Sequence, residues 1–274
     1  MAAAGGFGAR LRWWRERRGL SQLALAAAAD TPQRHVSFLE SGRSAPSREM
    51  ILRLAAALDL PLRQQNALFL AAGYAPAWRE SELSAPELAR VNGALDYMLA
   101  QQEPYPAFVL DRRWNLLRAN AGAVRLTEFL TGPAPAAPAA PADPVNLALA
   151  LVSPAGLRPF IVNWEEVVLY FLRGVQADAV ADGTPESAAL LEQLLAVPGA
   201  PALSTVLPPD ERQAPVLVIH FRRDETSLRL FTTLATLGTP HDVTLQEIRI
   251  ECFFPVDDAT ARAFQNWAAA GSAS

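Results

Sequence analysis

Between Ser21 and Gly42 the chain reads SQLALAAAADTPQRHVSFLESG, and no other stretch restricts the fold as tightly. Leu25, Ala26 and Ala29 recur at helical spacing, and Val36 and Leu39 do so again after a break around Asp30. Apolar residues three and four apart line one side of a helix. Two helices this short can close their apolar sides on each other only by crossing steeply, as in a helix-turn-helix. Ser21 is a natural N-cap for the first. Thr31 followed by Pro32 predicts a cap and first residue for the second, since proline lacks only an N–H that would be unpaired there. The polar side of the second helix carries Gln33, Arg34 and Ser37, with His35 on its flank. Glutamine and arginine make two-pronged contacts to adenine and guanine edges in the major groove. A bare helical bundle without a ligand is the plainer alternative, but spacing, caps and polar face agree on a DNA-reading helix.

The flanking residues complete a five-helix head. A first helix is expected from Phe7 to Arg18, with Phe7, Leu11 and Trp14 on one face and Gly19 ending it. Arg10, Arg12 and Arg17 lie elsewhere on it, suited to phosphates or simply to solvent. Ser47 is expected to cap a fourth helix with the stripe Ile51, Leu54, Ala55 and Leu58. A fifth runs from Pro61 to about Ala72, with Leu62, Phe69 and Leu70 as core candidates and Gly73 closing it. Residues 9–72 resemble a lambda-repressor-type (XRE) helix-turn-helix domain, and RHVSFLESGRSAPSREMILRLAAAL matches its third and fourth helices closely. One position departs from the pattern: Asp30 stands where the turn usually has glycine. Aspartate tolerates a left-handed backbone better than most residues, so the turn survives with some strain. The resemblance implies binding to a double-stranded DNA operator. Gln33, Arg34 and Ser37 would face the bases, and Ser21, Gln22, Arg43, Ser44 and Arg48 the sugar-phosphate backbone, where contacts give register more than choice.

Charge separates this head from the rest of the chain. Every basic residue is arginine; residues 1–75 hold ten of them against five acids, a balance of +5, so the remainder must carry −9 to give −4 overall. A basic head on an acidic body suits a DNA reader joined to something that should not bind DNA. A length of 274 residues with 51% hydrophobic content allows two cores. No apolar run is long enough for a bilayer, the start MAAAGGFGAR lacks a signal-peptide pattern, and Cys252 stands alone. These features predict a cytoplasmic protein without membrane association.

The expected boundaries are a head over 7–75, a connector with a linker helix over 76–103, and a second domain over 104–270. In the linker helix, Pro86 to Gln102, the apolar stripe is Leu88, Val91, Leu95, Met98 and Leu99, fit for a spacer or for pairing with a second copy. AFVLDRRWNLLRAN predicts a β-hairpin, and Asn120 a helix cap. The proline-alanine tract 131–143 predicts an exposed loop. Helices are expected over 145–152, from Asn163 as a cap through WEEVVLYFLRGVQADAVA, over 185–196 and over 259–270. Strands are expected at PVLVIHF (215–221), LRLFTTLATL (228–237) and VTLQEIRIECFF (243–254). In the last, Ile248, Ile250, Cys252 and Phe254 should face a covered side, and Glu247, Arg249 and Glu251 a wet one.

This order of elements resembles a PAS-like sensor domain, and with the head it resembles the MmyB-like (MltR-type) bacterial regulators. The resemblance rests on RPFIVNWEEV, LRLFTTLATLGTPHDVTLQEIRIECFFPVD and the head string. The fold class is therefore multidomain α and α+β: a five-helix DNA-binding domain followed by an antiparallel-sheet sensor. The resemblance implies a transcriptional regulator sensing a hydrophobic or fatty-acid-like molecule, as a homodimer. An antitoxin-like DNA-binding protein whose second domain grips a protein partner is the alternative. Phe108, Trp114, Trp164, Phe171, Phe221 and Phe231 are the aromatic residues on predicted inward faces, with Arg158, His220 and His241 as candidate polar groups at a pocket mouth. Each aromatic also suits plain core. Three histidines without paired spacing predict no metal site. No phosphate-binding glycine loop is present, and adjacent acids such as Asp257-Asp258 sit where capping explains them, so no enzyme activity and no resident cofactor are expected.

Overall fold

A computed structural model describes residues 5–133, 144–205 and 216–271, which fall into two compact units. Residues 134–143 of the proline-alanine tract, and Pro215 at the head of the expected first strand, lie outside the described residues.

The first unit holds residues 1–82 together with 181–185 and 239–246. Its helices are α1 (Phe7–Arg17), α2 (Gln22–Ala28), α3 (Gln33–Glu40), α4 (Arg48–Ala57) and α5 (Leu62–Ala71). Leu11, Trp14, Leu25, Val36, Leu39, Ile51, Leu54 and Phe69 form one sealed core, as the periodicity requires. Leu70 instead faces outward, 61% exposed. Ser21 and Ser47 cap α2 and α4 by accepting from the N–H groups of Ala24 and Met50. Asp30 adopts φ +48 at the turn, the left-handed backbone its place demands. The predicted cap of α3 differs: Pro32 takes the cap position, and the Thr31 hydroxyl meets His35 Nδ1 at 3.1 Å instead of the backbone. Gly8 is required by close approach, because a Cβ there would lie 2.5 Å from the Leu39 carbonyl oxygen at the end of α3.

Residues 239–246 belong to this unit although they fall late in the chain. Val243 N–H donates to the Arg79 carbonyl at 2.8 Å, Ser81 N–H to Asp242 Oδ2 at 3.1 Å, and Thr244 Oγ1 to the Ser81 carbonyl at 2.7 Å. Gln246 Oε1 accepts from Leu62 N–H at 2.7 Å, satisfying a donor at the uncapped start of α5. His241, expected at the mouth of a pocket in the second domain, lies in this unit and stacks on Trp78.

The second unit begins with a 3-10 turn over Pro86–Leu88 and continues through α6 (Ala89–Gln101), β1 (Ala107–Leu110), β2 (Leu116–Ala119), α7 (Ala121–Thr131) and α8 (Leu147–Val152). Then come α9 (Trp164–Asp182), α10 (Pro185–Leu195), β3 (Ile219–Arg223) and β4 (Thr226–Ala235); α11 (Val243–Glu247) follows, in the first unit up to Gln246, and β5 (Arg249–Pro255) and α12 (Asp258–Gly271) complete the second unit. The strands form one antiparallel sheet in the order β2-β1-β5-β4-β3, so the last strand enters the middle and joins the early hairpin to the late one. This is the expected PAS-like arrangement of sheet and helices. Asn120 is its buried peg. It accepts from Ala107 and Ala123 N–H and donates to the Leu99 and Tyr105 carbonyls, locking β1, α6 and α7.

One expectation changes. Residues 243–247 are helical, not extended, because Asp242 Oδ1 accepts from Thr244 and Leu245 N–H and starts a turn. Asn163 stands just before α9 as expected, its carbonyl accepting from Val167 N–H at 3.1 Å, and its side chain also donates to the Glu166 carboxylate and the Val218 carbonyl and accepts from His220 N–H, tying the helix start to β3. In the stripe of α6, Leu88, Leu95 and Leu99 are buried within the unit, with α6 packed along β1, while Val91 is half-buried and Met98 exposed.

Candidate nucleic-acid interface and sensor wall

α3 is amphipathic at the level of single residues. Val36 and Leu39 are fully buried, while Gln33 and Arg34 at its N-terminal end are exposed and Ser37 is half-buried. The Arg34 guanidinium lies 5.0 Å from the Phe38 ring centroid, a brace one turn along that leaves its donors free of the protein's own carboxylates. Arg43, also exposed, flanks the same ring from the following loop at 5.9 Å, next to the half-buried Ser44.

What holds α3 in place is a buried ion pair. Arg15 of α1 makes a two-pronged contact to Glu40, Nε to Oε1 at 2.6 Å and Nη2 to Oε2 at 3.1 Å, and its Nη1 reaches the Leu20 carbonyl. Only 10% and 4% of the two side chains are exposed. The hydrogen bond that Arg15 donates to Glu40 raises the Arg15 pKa above its ordinary value against the cost of burial. Gln22 completes the cluster, its amide donating to Glu40 Oε2 at 2.8 Å. Gln22, expected at the phosphates, thus has its amide engaged inside the head. Arg48 is exposed but packs over Phe69 and Tyr74 and donates to the Ala75 carbonyl. Ser21, exposed, has its hydroxyl engaged as the α2 cap.

In the second unit strand register sorts the expected ligand residues onto two faces. Phe108 pairs with Glu251, Phe221 with Leu228 and Thr232 with Phe253; these side chains share the inner face with the main core. Phe231 pairs with Phe254 and stacks on it, and His220 pairs with Arg229; both stand on the outer face. Phe231 therefore leaves the inward set, because the period of two along β4 puts Leu230 and Thr232 inside. His220 Nε2 meets Ser227 Oγ at 2.6 Å, and burial, with the nearby Arg229 and Arg222, lowers its pKa. Trp164 is core, and Arg158 lies 3.8 Å above its ring while donating to the Pro198 carbonyl.

Trp114 comes inside by an unusual route. Asp111 accepts from the N–H groups of Arg113 and Asn115 and from the Asn115 amide, tightening the hairpin turn, and Trp114 takes φ +65. A bulky residue in that region is strained and persists where its surroundings require it. Its indole packs edge-on to Phe171 at 4.7 Å and beneath Arg249 at 5.4 Å, and its Nε1–H has no hydrogen-bond partner among the described residues.

The residue that sequence reasoning missed is Glu251. Alternation along β5 is present, but the face bearing Arg249 and Glu251 is the inner one, against the helices. Ile250, on the other face, is buried as well, so both faces are covered there. Desolvation pushes the Glu251 carboxyl up to about 7, opposed only by the Thr232 hydroxyl that donates to it. A charged residue read as solvent-facing gave no signal of this.

No group of three or more histidine, cysteine, aspartate or glutamate side chains is placed to hold a metal among the described residues. Nor is any described helix long and apolar enough to cross a membrane. Residues 91–266 match the family model of the MmyB-like transcription regulator ligand binding domain, and residues 11–65 match that of a helix-turn-helix. No curated protein matches the chain. Among solved structures the chain is similar to the "Structure of an RNA-binding Light-Oxygen-Voltage Receptor", at 14% identity over 95% of this chain and 62% of that one, with a TM-score of 0.26. The chain thus spans less than two thirds of that protein's length, and overlap this low carries no argument.

Proposed function

Because the chain belongs to the MmyB-like transcription regulators, whose matched domains are those of DNA-binding regulators and not of enzymes, we propose that it reads an operator through α3 and adjusts its grip when its second unit binds a hydrophobic, fatty-acid-like molecule. The observation that carries the reading is the polarity of α3: Gln33 and Arg34 stand free while Val36 and Leu39 are sealed below them. Arg43, Ser44, Arg48, Ser21 and Gln22 then contribute register at the sugar-phosphate backbone, the last three after giving up their internal partners in part.

The protein acts in the cytoplasm as a homodimer, which sets two recognition helices about one DNA turn apart on a near-palindromic site. A ligand changes operator affinity only by binding the two states of the regulator differently. The chain offers a covalent route for such a bias. β4 and β5 belong to the second unit, and the residues joining them, 239–246, are bonded into the first. A ligand that shifts either strand pulls on a segment anchored beside α5.

Footprinting of the full chain on its own upstream DNA, with and without decanoate, tests both halves. Protection that shifts with decanoate is the expected result. Protection indifferent to decanoate and to any organic molecule found by mass spectrometry on the purified protein removes the sensing half.

A further inference from the structure

The reading side of α3 carries an apolar ring that the core does not use. Val36 and Leu39 are buried, and helical geometry puts Arg34, Ser37 and Phe38 on the other side of the helix. Phe38 is only half-buried. It belongs neither to the sealed core of the head nor to the partly buried residues packed against that core, so the packing of the head does not account for it. Its neighbours are two cations instead. The Arg34 guanidinium lies 5.0 Å from the ring centroid and that of Arg43 lies 5.9 Å from it, and neither meets a carboxylate among the described residues.

The loop after α3 is tied to the same residue. The Phe38 carbonyl accepts from Arg43 N–H at 2.9 Å, from Ser44 N–H at 3.3 Å and from the Ser41 hydroxyl at 3.2 Å. One cation from the helix and one from the loop are thereby held beside one phenyl ring. The cations suit phosphates and guanine edges. The ring offers no donor and no acceptor, so a polar base edge pressed against it would give up its hydrogen bonds to water unrepaid. Among the four bases only thymine presents an apolar group in the major groove, its C5-methyl, and phenylalanine is one of the side chains that pack on it. Phe38 stands one turn beyond Arg34, about 6 Å along the helix, and successive base pairs lie about 3.4 Å apart. The two side chains therefore reach bases within about two steps of each other.

We propose that Phe38 is a specificity-determining residue, whose ring selects a thymine through its C5-methyl within about two base pairs of the base that Arg34 reads. This rests on the assignment of α3 as the element that reads the bases, and adds to it the identity of one base.

The test takes the duplex that the full chain enriches from a randomised pool and replaces its thymines by deoxyuridine one at a time. Each replacement removes the methyl and leaves the hydrogen-bonding groups in place. For the wild type, one replacement in each half-site is expected to weaken binding about fourfold, the worth of one buried methyl-sized group. It should fall beside the position whose preference Arg34→Ala relaxes. Phe38→Ala is expected to bind the thymine and uracil duplexes alike, and Phe38→Leu to keep part of the difference. If Phe38→Ala does not fold, judged by its thermal melt, the wild-type series and Phe38→Leu decide. A wild type indifferent to the methyl of every thymine near that position overturns the proposal, because a ring that only braced the two arginines would not sense a methyl group. An enriched sequence with no thymine there overturns it too, as does a methyl dependence that survives intact in Phe38→Ala. If the wild type enriches no sequence at all, the assignment of α3 itself fails, and that of Phe38 with it.

Discussion

In the first unit the buried guanidinium of Arg15 meets Glu40 at 2.6 Å and Gln22 occupies the second carboxylate oxygen, whereas in the second unit the buried carboxyl of Glu251 meets only a threonine hydroxyl. Around α3 the head closes its polar groups on one another over a sealed core, although Arg53 Nε of α4 has no hydrogen-bond partner among the described residues. The sheet domain leaves the Trp114 indole N–H without a partner and gives the Glu251 carboxyl a hydroxyl where the head supplies a guanidinium. A reader of DNA needs a rigid recognition element; a sensor needs groups whose best partner arrives from outside. The difference is physical before it is functional, since buried groups left incomplete cost stability that a ligand can return.

Removing Glu40 attacks the closed side of this comparison. Glu40→Ala strands a buried arginine and is expected to destabilise the head by roughly 3–5 kcal/mol, seen as an earlier transition in urea unfolding. Replacing both partners by apolar residues, Arg15→Met with Glu40→Leu, should cost much less. Equal losses would mean that the pair does not act as a unit.

The open side has the opposite sign. The folded-state pKa of Glu251, about 7, lies above the ordinary 4.5, so its contribution to stability is full below pH 4.5 and is lost as pH rises to about 7. Glu251→Gln cannot lose it. At pH 8.5 the variant should be more stable than wild type by up to about 3 kcal/mol, with no gain at pH 4. A variant less stable at every pH would show that the carboxylate is better accommodated than the wall suggests.

Smaller effects sharpen the comparison within the head. Arg34→Ala leaves the core untouched and should relax preference at one base position by about 1–3 kcal/mol, with little change in unfolding. Ser47→Ala removes the α4 cap and should cost about 1 kcal/mol of stability without altering base preference. A Ser47→Ala change that rewrote base preference would place the reading surface elsewhere.

The head was nearly legible in the sequence because its rules are local. Cap serines, helical spacing and the Asp30 turn are decided within a few residues of themselves, and apart from Leu70 they were found where expected. The Arg15–Glu40 contact spans 25 residues and carried no local mark. In the sheet domain the strands were visible, but which face of each is inside depends on pairing partners far along the chain. β5 alternates as read, yet Glu251 and Arg249 point inward because β5 pairs with β1 and β4 and the helices cover that side. The same register moved Phe231 out and kept Phe108 and Phe221 in. His241 went to the other unit because the connector between β4 and β5 is bonded to residues 62–81.

The most direct test selects duplexes from a randomised pool with the full chain at about physiological salt, for wild type and Arg34→Ala side by side. Wild type should enrich a near-palindromic sequence, and the variant should lose information at one position in each half-site while keeping the spacing. A pool that shows no enrichment, or the same sequence enriched by both proteins, would contradict the assignment of α3 as the element that reads the bases.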